Sequence, residues 1–264
     1  MPVELSEKRL FLLDMDGTIY LDEQLFDGTR DFLDYVAAIG GRAMYLTNNS
    51  SKSVNSYIEK LGRMGITAAP EDFFTSVNAT VRYLKQANVS LIYAFGTESF
   101  QQQLRENGLQ ITTRLEDDID CLCVGFDTEL TFQKLEDACI LLNRGVEFVA
   151  TNPDWVCPTW YGSVPDCGSV CEMLFRATGR RPRFIGKPQP DMVELAVKAS
   201  GFTKEQTVLL GDRLYTDIRS GVNAGIDTVL VLSGEATLED LEASDVKPAY
   251  VFENIRAFYH TIQK

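Results

Sequence analysis

The sequence predicts an α/β fold built on parallel sheet, and three observations carry that expectation. Short apolar runs alternate with amphipathic helical stretches along the whole chain, which is the rhythm of βαβ units. The runs are apolar throughout rather than alternating with polar residues, as in strands covered on both faces. Polar clusters, Asp14/Asp16, Thr47, Lys187 and Asp212/Asp217, each follow such a run, and in open parallel sheets chemistry gathers beyond the carboxyl ends of strands. The 264 residues suffice for one large domain or two smaller ones. We expect two: a core from residues 1–78 and 184–264, and an α/β domain, residues 79–183, inserted between its halves.

Leu10-Phe11-Leu12-Leu13 is the first buried strand, and Asp14-Met15-Asp16-Gly17-Thr18 follows at once. Asp14 and Asp16 lie two apart, so an extended backbone points both to one side. Two carboxylates held together repel, and a hard cation such as Mg²⁺ would relieve the repulsion. A plain Asp-x-Asp-Gly turn is the alternative. Residues 19–27 read as a loop, with Asp22 and Glu23 as solvated charges. Gly28-Thr29 opens a helix with Phe32, Leu33, Val36 and Ala37 on one face, ended by Gly40-Gly41. Residues 43–46 are a second strand running into Thr47-Asn48-Asn49-Ser50-Ser51. Small polar residues between a strand and a helix (54–64) suit an anion site at a helix start. They equally suit an N-cap run in which Asn49 and Ser50 do the capping. Residues 73–76 are a short strand, with Ser76 capping a helix to 84.

The inserted unit continues with strand 91–95, helix 98–107, strand 120–125, helix 132–143 and strand 147–150. Residues 151–163 are irregular. Within them Asn152, Asp154, Trp155, Trp160 and Tyr161 are candidates to line a substrate pocket, although loop aromatics also often just pack. A helix over 169–177 leads to Arg180-Arg181-Pro182-Arg183, expected as a solvated hinge, with the other hinge near 75–80. Phe184-Ile185-Gly186-Lys187-Pro188 reads as a strand end carrying a lysine. It is no nucleotide P-loop, because Pro188 stands where Ser or Thr is required. Pro190 opens a helix to 199, Thr203 with Gln206 resembles a capping box, and residues 208–212 are a buried strand ending in Asp212. A helix over 217–224, strand 228–232, a helix near Leu238, strand 250–252 and a terminal helix complete the chain.

Composition excludes several function classes. Lys and Arg total 25 against 38 Asp and Glu, a net charge of −13. That balance argues against nucleic acid, which needs a basic stripe. An anionic substrate must then be drawn in by a local site and a metal, against the overall field. No apolar run approaches a membrane span, and the first one, broken by Asp14, is too short for an export signal. Six cysteines without zinc-ribbon spacing are expected as free thiols in a reducing cytoplasm. The one histidine, His260, is expected on the surface of the terminal helix. Acid–base chemistry therefore falls to carboxylates, lysine or a metal.

Several carboxylates, a hydroxyl and a lysine suit phosphoryl chemistry with Mg²⁺. One Asp can attack phosphorus and form an acyl phosphate, while another protonates the leaving oxygen. In order, Asp14-Met15-Asp16-Gly17-Thr18, Thr47-Asn48-Asn49, Gly186-Lys187-Pro188 and Gly211-Asp212-x4-Asp217 resemble the four motifs of the haloacid dehalogenase superfamily. Thr47-Asn48-Asn49-Ser50, the large insert, Thr151-Asn152-Pro153-Asp154 and Gly186-Lys187-Pro-x-Pro are similar to its NagD or 4-nitrophenylphosphatase branch. The resemblance covers essentially the whole chain. It implies a Rossmann-like core with an inserted α/β cap of C2 type and a Mg²⁺-dependent phosphatase acting on small phosphorylated metabolites. Sugar phosphates, nucleoside monophosphates and p-nitrophenyl phosphate are the expected substrates. It further implies Asp14 as nucleophile and metal ligand, Asp16 as general acid/base with its backbone carbonyl on the metal, and Asp212 as the third ligand. Thr47 and the Asn48 amide would hold phosphate, Lys187 would neutralise charge, and Asp217 would stand behind as a supporting acid. Transfer to an acceptor instead of water, as in a phosphotransferase or mutase, is the alternative on the same site. A phospho-accepting regulatory module is a third reading, disfavoured by the motif order. A homodimer through the cap is a further expectation.

Overall fold

Leu10–Leu13 (β1) lies at the centre of the larger of two parallel sheets, in a computed structural model that describes residues 4–263. Its four side chains are wholly buried, and they divide between the two faces. Leu10 and Leu12 pack with Met44, Leu46, Val193 and Leu209. Phe11 and Leu13 pack with Phe32, Tyr45, Val208 and Phe258. Helices cover both sides, which is why the run shows no alternation. Each such buried Leu or Phe contributes about 1.5–3 kcal/mol.

After β1 comes a small hairpin, Tyr20–Leu21 (β2) and Gln24–Leu25 (β3), within the segment expected as plain loop. Thr29–Ala38 (α1) leads to Arg42–Thr47 (β4), and Val54–Arg63 (α2) leads to Phe73–Thr75 (β5). Ser76–Ala87 (α3) follows directly, capped by Thr75 rather than Ser76. The smaller unit contains Ile92–Phe95 (β6), Glu98–Glu106 (α4), Ile111–Thr112 (β7), Cys121–Val124 (β8), Phe132–Arg144 (α5) and Glu147–Ala150 (β9). Next comes a hairpin, Val156–Thr159 (β10) and Gly162–Pro165 (β11), where irregular chain was expected. Cys167–Thr178 (α6) and Arg183–Phe184 (β12) close the unit. The chain ends with Asp191–Ser200 (α7), Thr207–Gly211 (β13), Arg219–Ala224 (α8), Asp227–Val231 (β14), Leu238–Ala243 (α9), Tyr250–Phe252 (β15) and Ile255–Ile262 (α10).

The large sheet has the order β15-β14-β13-β1-β4-β5, and the smaller one β12-β9-β8-β6-β7, both parallel throughout. The chain leaves β1 towards β4 on one side and returns through β13 on the other. β1 therefore ends at a topological switch point, the place where open α/β sheets bind ligands. α3 joins the two sheets. Its Val77, Val81 and Leu84 belong to one apolar cluster with Leu10 and Leu12 of the large sheet and Ile92, Cys121 and Val149 of the small one. The first expected hinge, 75–80, takes in the end of β5 and the mostly buried first turn of α3.

One expectation about strands is corrected. Residues 184–188 do not end a strand of the large sheet. Arg183 and Phe184 pair with Val149 and Ala150 in the small sheet, and Lys187 stands on the loop beyond. The Gly186 N–H then donates to the Thr151 carbonyl and the Lys187 N–H to Asn48 Oδ1, which aims the loop back at the end of β4. Arg180, placed by the sequence in a solvated hinge, is anchored through its guanidinium to the Leu142 and Val146 carbonyls. None of the six cysteines is bridged, and no described helix is long and apolar enough to cross a membrane.

Candidate active site

Three strands of the large sheet end together. The Asp14 N–H donates to the Leu210 carbonyl, so Asp14 leaves β1 beside the end of β13. Asp212 follows β13 directly, and Thr47 is the last residue of β4. Lys187, the fourth sequence-predicted element, enters from the loop after β12. Its Nζ lies 2.5 Å from Asp14 Oδ1, 2.6 Å from Asp217 Oδ1 and 3.1 Å from the Leu46 carbonyl. The side chain is only 2% exposed. Burial alone would depress its pKa, but Asp14 and Asp217 overcome that and hold the ammonium above its ordinary value.

Asp217 was expected to open a helix. It lies instead in a wide π-type turn, Leu214–Ile218, that precedes α8; such turns recur at functional sites. The turn brings Asp217 back under the end of β13, where its second oxygen accepts the Arg213 N–H at 3.1 Å. Both Asp217 oxygens are therefore engaged by protein.

Asp14, Asp212 and Asp217 each offer a carboxylate oxygen within 4.8 Å of the others. Burial pushes the Asp14 carboxyl well above its ordinary range; Asp217 adds to the rise and Lys187 opposes it. Asp212 is pushed up to about 7, first by burial and then by Asp217. Three carboxylates against one ammonium leave surplus negative charge in a desolvated place. That donor set fits a hard divalent cation. The backbone is shaped around it: Gly17 has φ +89°, and a Cβ there would overlap the Asp212 carboxylate. The Asp212 oxygens accept from the Glu235 N–H at 2.8 Å and the Thr18 hydroxyl at 3.4 Å.

Asp16 is turned differently. Its carboxylate accepts from the Tyr20 hydroxyl at 3.3 Å and faces Lys60 Nζ at 3.6 Å. The Thr47 hydroxyl accepts from the Asn49 N–H at 3.1 Å, and Thr47 is nearly buried. Asn48 is the knot between the two units. Its Nδ2 donates to Asp154 Oδ1 at 3.2 Å and to the Lys187 carbonyl at 3.0 Å, and its carbonyl accepts from Asn152 and Ser76.

Asn152 and Asp154 were both expected to line a substrate pocket; Asp154 borders the same small cavity as Asp14 and Lys187, whereas Asn152 does not. Asn152 is wholly buried, with its amide on Asn48 and its Oδ1 accepting the Asp154 N–H. Asp154 is 3% exposed and divides its oxygens between Asn48 and Arg213 Nη1, the latter at 3.0 Å. Both residues tie the units together. Asn49 and Ser50 do not cap α2 either, because Ser53 does. Ser50 Oγ accepts the Phe126 N–H and pairs with the Thr151 hydroxyl, a second tie. His260 is exposed on α10.

The side chains expected to be catalytic line a cavity of about 30 Å³ bounded by Asp14, Asp16, Thr47, Asn48, Asp154 and Lys187. It adjoins one of about 520 Å³, which shares Asp16, Asn49, Cys157 and Pro158 and is also lined by Tyr161, Lys52 and Lys60. Trp155 and Trp160 line neither; Trp160 is 83% exposed against the β2–β3 hairpin. Asp22, expected as a solvated charge, is half-buried and lines the larger cavity.

Arg213 is the main residue that sequence reasoning missed. It contacts Asp154, the Glu235 carboxylate at 2.7 Å and the Val156 carbonyl at 3.1 Å. Its signal was present: a charged residue directly after a buried strand's terminal acid. Lys60 is the other, a lysine on the buried stripe of α2 with Tyr57 and Leu61.

Comparison with known proteins agrees with this geometry. A family model described as haloacid dehalogenase-like hydrolase matches residues 11–110, and a second model, HAD-hydrolase-like, matches residues 184–258. An acid sugar phosphatase of Staphylococcus aureus is 34% identical over 261 residues, covering 98% of this chain and 100% of that protein. The crystal structure of a 4-nitrophenylphosphatase from Thermotoga maritima superposes with a TM-score of 0.90 at 39% identity, over 98% of this chain and 99% of that one. A glycerol phosphate phosphatase from Mycobacterium tuberculosis, solved in complex with calcium, gives a TM-score of 0.87 at 30% identity, over 95% of this chain and 74% of that one.

Proposed function

The chain belongs to the haloacid dehalogenase-like hydrolases, and from that premise we propose a Mg²⁺-dependent hydrolysis of small phosphomonoesters through an aspartyl-phosphate on Asp14. The single observation that carries the reading is Lys187 Nζ held between Asp14 and Asp217, beside the Asp212 carboxylate, at the switch point of the sheet. The names of the relatives, acid sugar phosphatase, 4-nitrophenylphosphatase and glycerol phosphate phosphatase, support both alkyl and aryl phosphate esters as substrates.

In the first step an Asp14 oxygen forms a bond to phosphorus as the bond from phosphorus to the leaving oxygen breaks. The electron pair goes to the leaving oxygen, and a proton from Asp16 joins it there. In the second step Asp16 takes a proton from water, the water oxygen bonds to phosphorus as the bond from phosphorus to the Asp14 oxygen breaks, and the electron pair returns to the Asp14 carboxylate as inorganic phosphate leaves. Lys187 orients Asp14 and stands where it can neutralise phosphoryl charge. Thr47 and the Asn48 N–H hold the phosphoryl oxygens. Asp14, the Asp16 carbonyl and Asp212 would hold Mg²⁺, which when bound supplies positive charge against the phosphoryl group. Asp217 supports Lys187, its Oδ1 accepting from Nζ at 2.6 Å. The phosphoryl group belongs in the small cavity and the leaving group in the larger one. Residues 79–183 act as the cap that excludes water.

The test is release of inorganic phosphate from p-nitrophenyl phosphate and a panel of sugar phosphates, with and without Mg²⁺. D14N is expected to abolish release. Turnover of D14N at the wild-type rate would remove Asp14 as nucleophile.

A further inference from the structure

Lys60 is out of place for a lysine. Its side chain is 8% exposed and lies on the buried stripe of α2. Lysines are rarely buried without a partner, and the only ion-pair partner of Lys60 among the described residues is Asp16. The ammonium sits 3.7 Å from the centre of the Tyr20 ring, and the Tyr20 hydroxyl donates to the other Asp16 oxygen at 3.3 Å. Tyr20 itself is wholly buried, and its carbonyl accepts the Gly17 N–H, which closes the turn that carries Asp16. The Asp16 carboxylate is therefore gripped at both oxygens by groups anchored in the core. Asp16 also lines both the phosphoryl cavity and the larger cavity beside it. The leaving oxygen is bonded to phosphorus on one side and to the leaving group on the other, so it must lie at that junction.

We propose that Lys60, seated on Tyr20, is a positioning residue that fixes the Asp16 carboxyl at the junction of the two cavities, in reach of the leaving oxygen. The proposal rests on the reading of Asp16 as the acid that protonates the leaving group. Its consequence is selective. As the bond from phosphorus breaks, an alkoxide needs the proton that Asp16 supplies, whereas p-nitrophenolate is a stable anion and departs without one. Displacing Asp16 must then cost alkyl esters far more than p-nitrophenyl phosphate. Packing loss alone would lower both together.

The experiment measures kcat/KM, which covers the steps through leaving-group departure, for p-nitrophenyl phosphate and for the best alkyl ester of a sugar-phosphate panel. Wild type, D16N, K60M, K60R and Y20F are compared at saturating Mg²⁺. K60M is expected to lower kcat/KM for the alkyl ester by about 100-fold, the lower end of what general acid catalysis supplies, and for p-nitrophenyl phosphate only a few-fold. K60R should recover part of the alkyl activity, and Y20F should show the same selectivity at smaller size. If K60M does not fold, Y20F and K60R decide. Equal losses on both substrates in the folded variants, with D16N selective, would overturn the role of Lys60 alone. A D16N enzyme without selectivity would overturn the reading of Asp16, and this proposal with it.

Discussion

Arg213 holds the two units of the molecule against each other, and its removal should be felt as a buried carboxylate without a partner. Its guanidinium meets Asp154 Oδ2 at 3.0 Å, and the two side chains are 12% and 4% exposed. The second acid, Glu235, is 34% exposed, so water screens it and its share is small. Removing one partner of a buried ion pair typically costs 3–5 kcal/mol, because the other charge stays behind. We therefore expect R213M to lose about 3–5 kcal/mol, which for a chain of this size lowers the melting temperature by on the order of 10 °C. The sign with pH follows from Asp154. Burial already raises its carboxyl above the ordinary value, while Arg213 pulls the other way. Without Arg213 it rises further, so the neutral acid is favoured in the folded state and stability falls as pH rises through that higher value. The deficit of R213M should thus be larger at pH 8 than at pH 5. Thermal melts of R213M, D154N and the double mutant at both pH values form the assay. D154N in the R213M background should restore at least half of the loss, since the stranded charge is gone. A double mutant whose loss equals the sum of the two single losses would refute the coupling.

Two other predictions test the metal cradle and the inserted domain. G17A places a Cβ in a left-handed residue, φ +89°, where it overlaps the Asp212 carboxylate. The Mg²⁺ concentration for half-maximal activity should rise at least about tenfold, as when a ligand's support is disturbed, and an unchanged midpoint in a magnesium titration would count against Asp212 as a ligand. Asp166 caps α6 through the Cys167 N–H, and burial, then Asp154, push its carboxyl from 3.8 to about 7. The folded state therefore binds its proton more tightly, and this group's contribution to stability is lost as pH rises from about 4 to about 7, by up to about 1.4 kcal/mol per pH unit. D166N keeps the capping oxygen and should flatten that slope in urea unfolding series; a slope identical to wild type would exclude Asp166 as its source.

The strand ends were legible because they are local. A strand buried on both faces must be apolar throughout, so Leu10 to Leu13 and Val208 to Gly211 announce themselves, and the acid that follows each marks where the sheet ends. The sheet that a two-residue strand joins is not local. Phe184 offers one side chain and one pairing, with Ala150, and nothing in the letters around it distinguishes that partner from β4. Lys187 meets Asp14 as expected, but from beyond a strand that belongs to the other sheet, for this reason. The wide turn at Leu214–Ile218 was hidden in the same way, since its residues suit an α-helix equally well.

The ties that Asn152 and Asp154 make between the units were hidden for a sharper reason. Asn-Pro-Asp has the composition of an exposed turn, and in an isolated hairpin it would be one. Here the Asn152 amide and both Asp154 oxygens are matched by groups far away in the chain: Asn48 lies 104 residues from Asn152 and 106 from Asp154, and Lys187 lies 139 residues from Asn48. Such matches are invisible to composition and spacing, because they exist only once the inserted domain has docked. They also have a consequence for how the site is built. Lys187 is aimed by Asn48, Asn48 is held by Asp154, and Asp154 is held by Arg213, whose own N–H holds Asp217 against Lys187. The path closes on itself through both units. The lysine that meets Asp14 is therefore correctly placed only when the inserted domain sits on the core, so on the proposed mechanism the placing of Lys187 and the docking of the cap are set by the same few hydrogen bonds.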